Sequence, residues 1–195
     1  MRIIKGRKDA FLEVNHSLKA KDYVDWKYSM LRDIAGSMPK ARKGNGLRIA
    51  YRFYTRQHPE LSQLYEIFYM DGKKRIPEIE LNPISLAVWF MDDGSRCRDR
   101  DVYLNTQQFN FSDQEKLRAM LKKLGLETTI NKDKSYYRLR FLKESIKKFN
   151  ELISAYIIPS MRYKLSYDPV ETYSGFTGMD NHKPCDYKTP DPKTI

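Results

Sequence analysis

The segment NPISLAVWFMDDG, residues 82–94, constrains the fold more than any other. Asn82 is a good helix N-cap, and Pro83 suits the first helical position. Ile84 to Met91 is apolar throughout except at Ser85, so this helix belongs inside the protein, between elements on both flanks. It runs without a break into Asp92, Asp93 and Gly94. Two adjacent carboxylates repel each other, and the negative end of the helix dipole disfavours both. A divalent cation removes both objections, because hard cations take carboxylate oxygens. Gly94 lets the chain turn and leave. The plain alternative is a core helix ending in a solvated acidic turn.

A chain of 195 residues can bury a real core, as one domain or two small fused halves. No apolar run is long enough to span a membrane, and the N-terminus has no signal-peptide apolar region. An intracellular protein is therefore expected. Cys97 and Cys185 are too few and too far apart for a disulfide framework or a zinc site. Thirty-six Lys and Arg against twenty-five Asp and Glu leave a net charge of +11. That excess points to a polyanionic partner, most simply nucleic acid, if the charge gathers on one surface.

Period-two alternation predicts where it gathers. Residues 10–16 read as a half-buried strand with Leu12 and Val14 inward. Ser17 caps a helix running to about Ala35, with Tyr23, Trp26, Met30 and Ile34 as its buried stripe. Residues 36–46 read as a loop. From Leu47 to Arg56 one strand face carries Leu47, Ile49, Tyr51 and Phe53, and the other Arg48, Arg52, Tyr54 and Arg56. A row of guanidiniums on one face favours a phosphate- or base-reading surface. Pro59 to Tyr69 is a short helix with Leu61, Leu64 and Phe68 inward, followed by a basic turn that includes Lys74.

Beyond Gly94, Val102, Leu104 and Thr106 alternate with Tyr103, Asn105 and Gln107. Asn and Gln can pair with adenine, so the second set suits base edges. Ser112 and Glu115 form a capping box for a helix carrying Leu117, Met120, Leu121 and Leu124 to Gly125. A short strand follows. The next strand turns Arg138 and Arg140 outward, and a helix spans Lys143 to Ile157. From about Ser174 the chain is aperiodic and rich in Gly, Pro, Asp and Lys, and reads as an irregular tail.

Leu86 to Gly94 resembles the nine-residue LAGLIDADG motif of homing endonucleases. Leu86, Ala87, Asp93 and Gly94 match as they stand, while Val88 replaces the family's glycine. Leu104 to Gln107 and Ile158 to Lys164 strengthen the likeness, which covers residues 8 to about 172. A strand, a helix, an Arg-bearing strand, a helix and a basic turn occur once before the motif helix and once after it. Lys74 and Lys164 hold equivalent places in the two halves. The resemblance implies an α+β fold of tandem αββαββα repeats with saddle-shaped antiparallel sheets. Residues 1–80 are expected to be a first repeat without its leading motif helix, 81–172 the second repeat, and 173–195 the tail.

The same resemblance implies a site-specific DNA endonuclease of intron or intein mobility, cutting both strands with Mg²⁺ or Mn²⁺ and leaving short 3′ overhangs. Asp93 is then the catalytic, metal-binding carboxylate, with Asp92 as a second metal ligand. Lys74 and Lys164 flank the two centres, and Gln107 orders water. Arg48, Arg52, Tyr54, Arg56, Tyr103, Asn105, Arg138 and Arg140 form the DNA-binding face. Double-stranded DNA with a long specific site is the expected partner. The alternative is an intron RNA maturase, or a DNA-binding protein impaired in cutting, on the same scaffold. A monomer is expected, with the motif helix the surface through which a dimer would form. The compartment is a prokaryotic or phage-host cytoplasm, or an organelle matrix. An EF-hand loop is excluded because Asp92-Asp93-Gly94 lacks alternating oxygen ligands. No Ser or Cys has a paired base, and the three histidines form no catalytic cluster in sequence.

Overall fold

The computed structural model describes residues 1–165 apart from 5, 45 and 98–100. The expected irregular tail therefore lies outside the described residues. The first half contains β1 (Glu13–Ser17), α1 (Lys21–Met30), β2 (Lys40–Lys43), β3 (Ile49–Tyr54), α2 (Pro59–Phe68), β4 (Tyr69–Met70) and β5 (Lys73–Lys74). The second contains α3 (Pro83–Asp93), β6 (Gly94–Cys97), β7 (Asp101–Leu104), α4 (Phe111–Lys123), β8 (Thr128–Asp133), β9 (Tyr136–Phe141) and α5 (Lys143–Ile153). Short 3-10 turns follow α5, the last over Pro159–Lys164.

All strand pairing is antiparallel. The main sheets have the orders β1-β3-β2 and β6-β7-β9-β8. Thus β1-β3-β2 repeats the order β7-β9-β8, and an isolated bridge between Arg2 and Phe11 stands where β6 meets β7. The small β4-β5 hairpin carries Lys74.

One core cluster runs through both halves. Leu86, Ala87, Phe90 and Met91 of α3 are buried with Leu117 and Leu121 of α4, Phe149 of α5, and Tyr23 from the first half. Phe90 meets Phe149 edge-on at 5.0 Å between ring centroids. Each such fully buried side chain contributes about 1.5–3 kcal/mol. A smaller cluster of Val14, Val24 and Phe53 lies under the first sheet. The motif helix begins as its sequence predicts: the Asn82 side-chain oxygen accepts from the Ser85 amide at 2.9 Å.

Several boundaries differ from expectation. Ser17 caps a 3-10 turn over Leu18–Ala20, after which α1 starts uncapped. Its buried residues are Tyr23 and Val24, while Met30 is 61% exposed. The predicted loop contains β2, whose side chains are all exposed. It is an edge strand held by its ladder to β3, and its residues show no apolar alternation. The cap of α4 is Asn110, which accepts from the Asp113 amide at 2.8 Å, not Ser112. Leu64, expected inward, is exposed, and so are Leu47 and Ile49 on the apolar face of the Arg-bearing segment.

Candidate active site and reading face

Gly94 follows Asp93 directly, with extended backbone, φ −79° and ψ 147°. Its need for glycine is therefore one of space. A Cβ there would overlap the Phe90 ring and carbonyl. Gly94→Ala is expected to destabilise the protein by about 1–3 kcal/mol, measured by denaturant titration, without any change in backbone hand.

The two aspartates have different surroundings. Both Asp92 oxygens accept from the Lys27 ammonium, at 2.7 and 3.0 Å, and His16 Nε2 lies 3.5 Å away. Lys27 also sits over the Tyr23 ring at 4.3 Å. Asp92 is thus paired with the first half, and its charge still acts on Asp93. The Asp93 side chain has no hydrogen-bond partner among the described residues, and its backbone carbonyl accepts from the Asn105 amide at 2.9 Å. Burial, then the Asp92 charge, push its carboxyl above the usual range, while Lys74, Lys164 and Lys27 oppose that. An unpaired, half-buried oxygen donor beside a second carboxylate suits a hard divalent cation. Among the described residues no group of three His, Cys, Asp or Glu side chains is placed to hold a metal by itself. Any cation at Asp93 would share its remaining ligands with substrate or solvent.

The two lysines, equivalent in sequence, differ in setting. Lys164 donates to the Met91 carbonyl at 2.6 Å and reaches the Phe90 carbonyl at 3.5 Å, closing the end of α3. Burial lowers its pKa, with the two aspartates opposing. Lys74 is exposed on β5. Lys164→Met is expected to cost about 1–2 kcal/mol of stability, whereas Lys74→Met leaves the melting temperature unchanged; paired thermal melts distinguish them. Gln107 donates to Asp133 at 3.2 Å. Its neighbour Gln108, which sequence reading passed over, lines the cavity that contains Asp93.

That cavity, about 410 Å³, runs beside α3. It is lined by Ser85, Trp89 and Asp93, one helical row of α3, and by Lys74, Ile76 and Met120. Met1 closes one part of it, its amine donating to the Tyr69 hydroxyl at 3.1 Å. Phe90 is fully buried, and Trp89 lines the groove.

The outward sheet face is not a row of unmixed positive charge. Arg52 pairs with Glu13 at 3.3 Å, and Arg2 meets the same carboxylate at 3.0 Å. Arg140 pairs with Asp101 at 3.7 Å and Arg138 with Asp133 at 3.7 Å. The Arg138 guanidinium lies over the Tyr103 ring at 4.1 Å, and Tyr103 is buried. Asn105 reaches Ser95 Oγ at 3.4 Å. Tyr54 lies against Phe11 and near the Arg52 guanidinium. Arg48 is exposed, just ahead of β3. Arg56 lies beyond the end of β3 and donates to the Asp33 carbonyl, which removes it from the row. Sequence reading assigned no site role to Lys27 or Asp101 and did not pair Glu13 with Arg52. No local pattern links Lys27 to Asp92, but Glu13 and Asp101 each open equivalent strands of the repeat.

The chain matches the LAGLIDADG DNA endonuclease family over residues 2–149. A cytochrome b mRNA maturase bI2 of Debaryomyces hansenii is 32% identical over 125 residues, 61% of this chain and 47% of that protein. A probable intron-encoded DNA endonuclease 3 of Mycosarcoma maydis is 32% identical over 126 residues, 60% of this chain and 93% of that protein. The solved structure of the homing endonuclease I-WcaI bound to its DNA recognition sequence superposes with a TM-score of 0.78 at 27% identity, covering 86% of this chain and 80% of the other. The chain spans less than half the length of the maturase.

Proposed function

The chain belongs to the LAGLIDADG DNA endonuclease family, and from that premise we propose that it is a site-specific homing endonuclease hydrolysing phosphodiester bonds in duplex DNA with a divalent cation. The observation that carries this reading is the unpaired, half-buried Asp93 carboxylate at the end of the core helix, with Lys74 and Lys164 near it. The likeness to a DNA-bound homing endonuclease supports the partner.

Asp93 would hold the cation, Mg²⁺ or Mn²⁺. When bound, such an ion neutralises charge at the scissile phosphate and makes water a better nucleophile. The chain's own residues prepare that place. Packing of Leu86, Phe90 and Met91 fixes the helix, and Lys164 fixes its last carbonyls. Lys27 holds Asp92 in an ion pair, which lowers the negative charge that meets a phosphate. Lys74, free on its hairpin, is the residue suited to attract phosphate. Residues 1–80 and 81–172 act as two halves, each facing one half of the DNA site.

The purified protein is expected to enrich duplexes from a randomised pool and then cut them when Mg²⁺ or Mn²⁺ is added. Enrichment without cutting under any metal condition would leave a binding protein instead. The likeness to an mRNA maturase supports a second reading, intron RNA binding. Tighter binding to folded intron RNA than to any enriched duplex would favour it.

A further inference from the structure

Arg52 and Arg140 occupy matching places in the two halves. Arg52 lies opposite Asn15 and pairs with Glu13, two residues earlier on the neighbouring strand. Arg140 lies opposite Tyr103 and pairs with Asp101, again two residues earlier. Each carboxylate is the first residue of its strand. Each arginine sits on the central member of a three-strand set, β3 between β1 and β2, and β9 between β7 and β8. In each, Nε is buried without a hydrogen-bond partner. No other arginine nitrogen among the described residues shares that state.

These features describe guanidiniums oriented before any ligand arrives. A carboxylate holds one side of the fork, which reduces the rotamer freedom lost on binding. It also offsets the positive charge, which weakens attraction to phosphate. A sheet laid along a DNA groove turns its central strand towards the bases and its edges towards the backbones. A planar fork in that position suits the O6 and N7 acceptors of guanine. We propose that Arg52 and Arg140 read guanine at two positions of the target, placed on either side of its centre, and that Glu13 and Asp101 are positioning residues for them. This rests on the reading of the chain as a duplex-DNA binder.

Selection of duplexes from a randomised pool tests it, with wild type, Arg52→Ala, Arg140→Ala, Glu13→Gln and Asp101→Asn compared without metal. The wild-type pool is expected to show guanine at two positions equally spaced from the centre of the site. Each arginine variant loses about tenfold of the preference at its own position only. Each carboxylate variant weakens guanine preference at that same position while melting like wild type. The salt slope of binding stays the same in all four. A uniform loss across sequences with the slope reduced by about 0.9 marks phosphate contacts and overturns the proposal. So does enrichment with no such guanine pair. Wild-type protein that enriches no duplex overturns this proposal and the function it rests on together.

Discussion

Asp93→Asn is expected to reduce DNA cleavage at least about a hundredfold, the scale of losing several kcal/mol of charge stabilisation at the phosphate. Affinity for duplex DNA should barely change. The amide keeps the shape of the side chain but loses the charge that holds a cation. The protein should also melt no lower than wild type, because Asp93 makes no side-chain hydrogen bond among the described residues and its carboxylate is held partly buried next to Asp92. Removing that repulsion is neutral or mildly favourable. Asp92→Asn is the contrasting variant. It removes the ion pair with Lys27, so its effect should fall on stability before chemistry. Strand-resolved cleavage assays and thermal melts on the two variants separate these roles.

The second large effect concerns the groove beside α3. Trp89, Asp93, Ile76 and Met120 all line it. Its largely apolar lining beside α3 is surface that a helix of the same character would cover. Among the described residues no carboxylate in the first half mirrors Asp93 at the end of a core helix. The 195 residues in isolation are therefore expected to nick one strand. Joining to Met1 an apolar helix ending in Asp-Gly should convert nicking into double-strand cutting. It should also raise the melting temperature, since covering Trp89 and Ile76 buries apolar surface. Asp→Asn in the joined helix should return the protein to nicking.

The sequence revealed the motif helix because it is both strongly apolar and sharply bounded. Asn82 and Pro83 mark its start, and the two carboxylates with Gly94 mark its end. Gly94 itself was legible only in part. It is required because the Phe90 ring fills the space of a Cβ, a tertiary fact that local turn chemistry does not contain. The β3 and β9 strands were legible from alternation, but β2 was not. Lys40–Lys43 is an exposed edge, formed only because β3 offers it a ladder.

The candidate site was half legible. Adjacent aspartates pointed to one centre, yet which of them is free depends on Lys27, 65 residues away along the chain. The equivalence of Lys74 and Lys164 was visible in the repeat. Their separate settings were not, because one folds back on the helix end and the other sits on a short hairpin. The arginine faces were predicted from period two, but their acidic partners change the expected work from charge attraction to orientation. Glu13 and Asp101 could have been noticed by aligning the first residues of the two strands.

The central claim is that Asp93 is the carboxylate of a metal-dependent DNA-cleaving centre. Its most direct test is cleavage of one enriched duplex, each strand separately labelled, by wild-type and Asp93→Asn protein with Mg²⁺ and with EDTA, each with and without the joined helix. Cutting should require both Mg²⁺ and Asp93, on one strand for the 195 residues and on both with the helix present. Cutting that survives EDTA or the Asp93→Asn change, or a duplex left intact by the wild-type sequence even with the helix joined, contradicts the account.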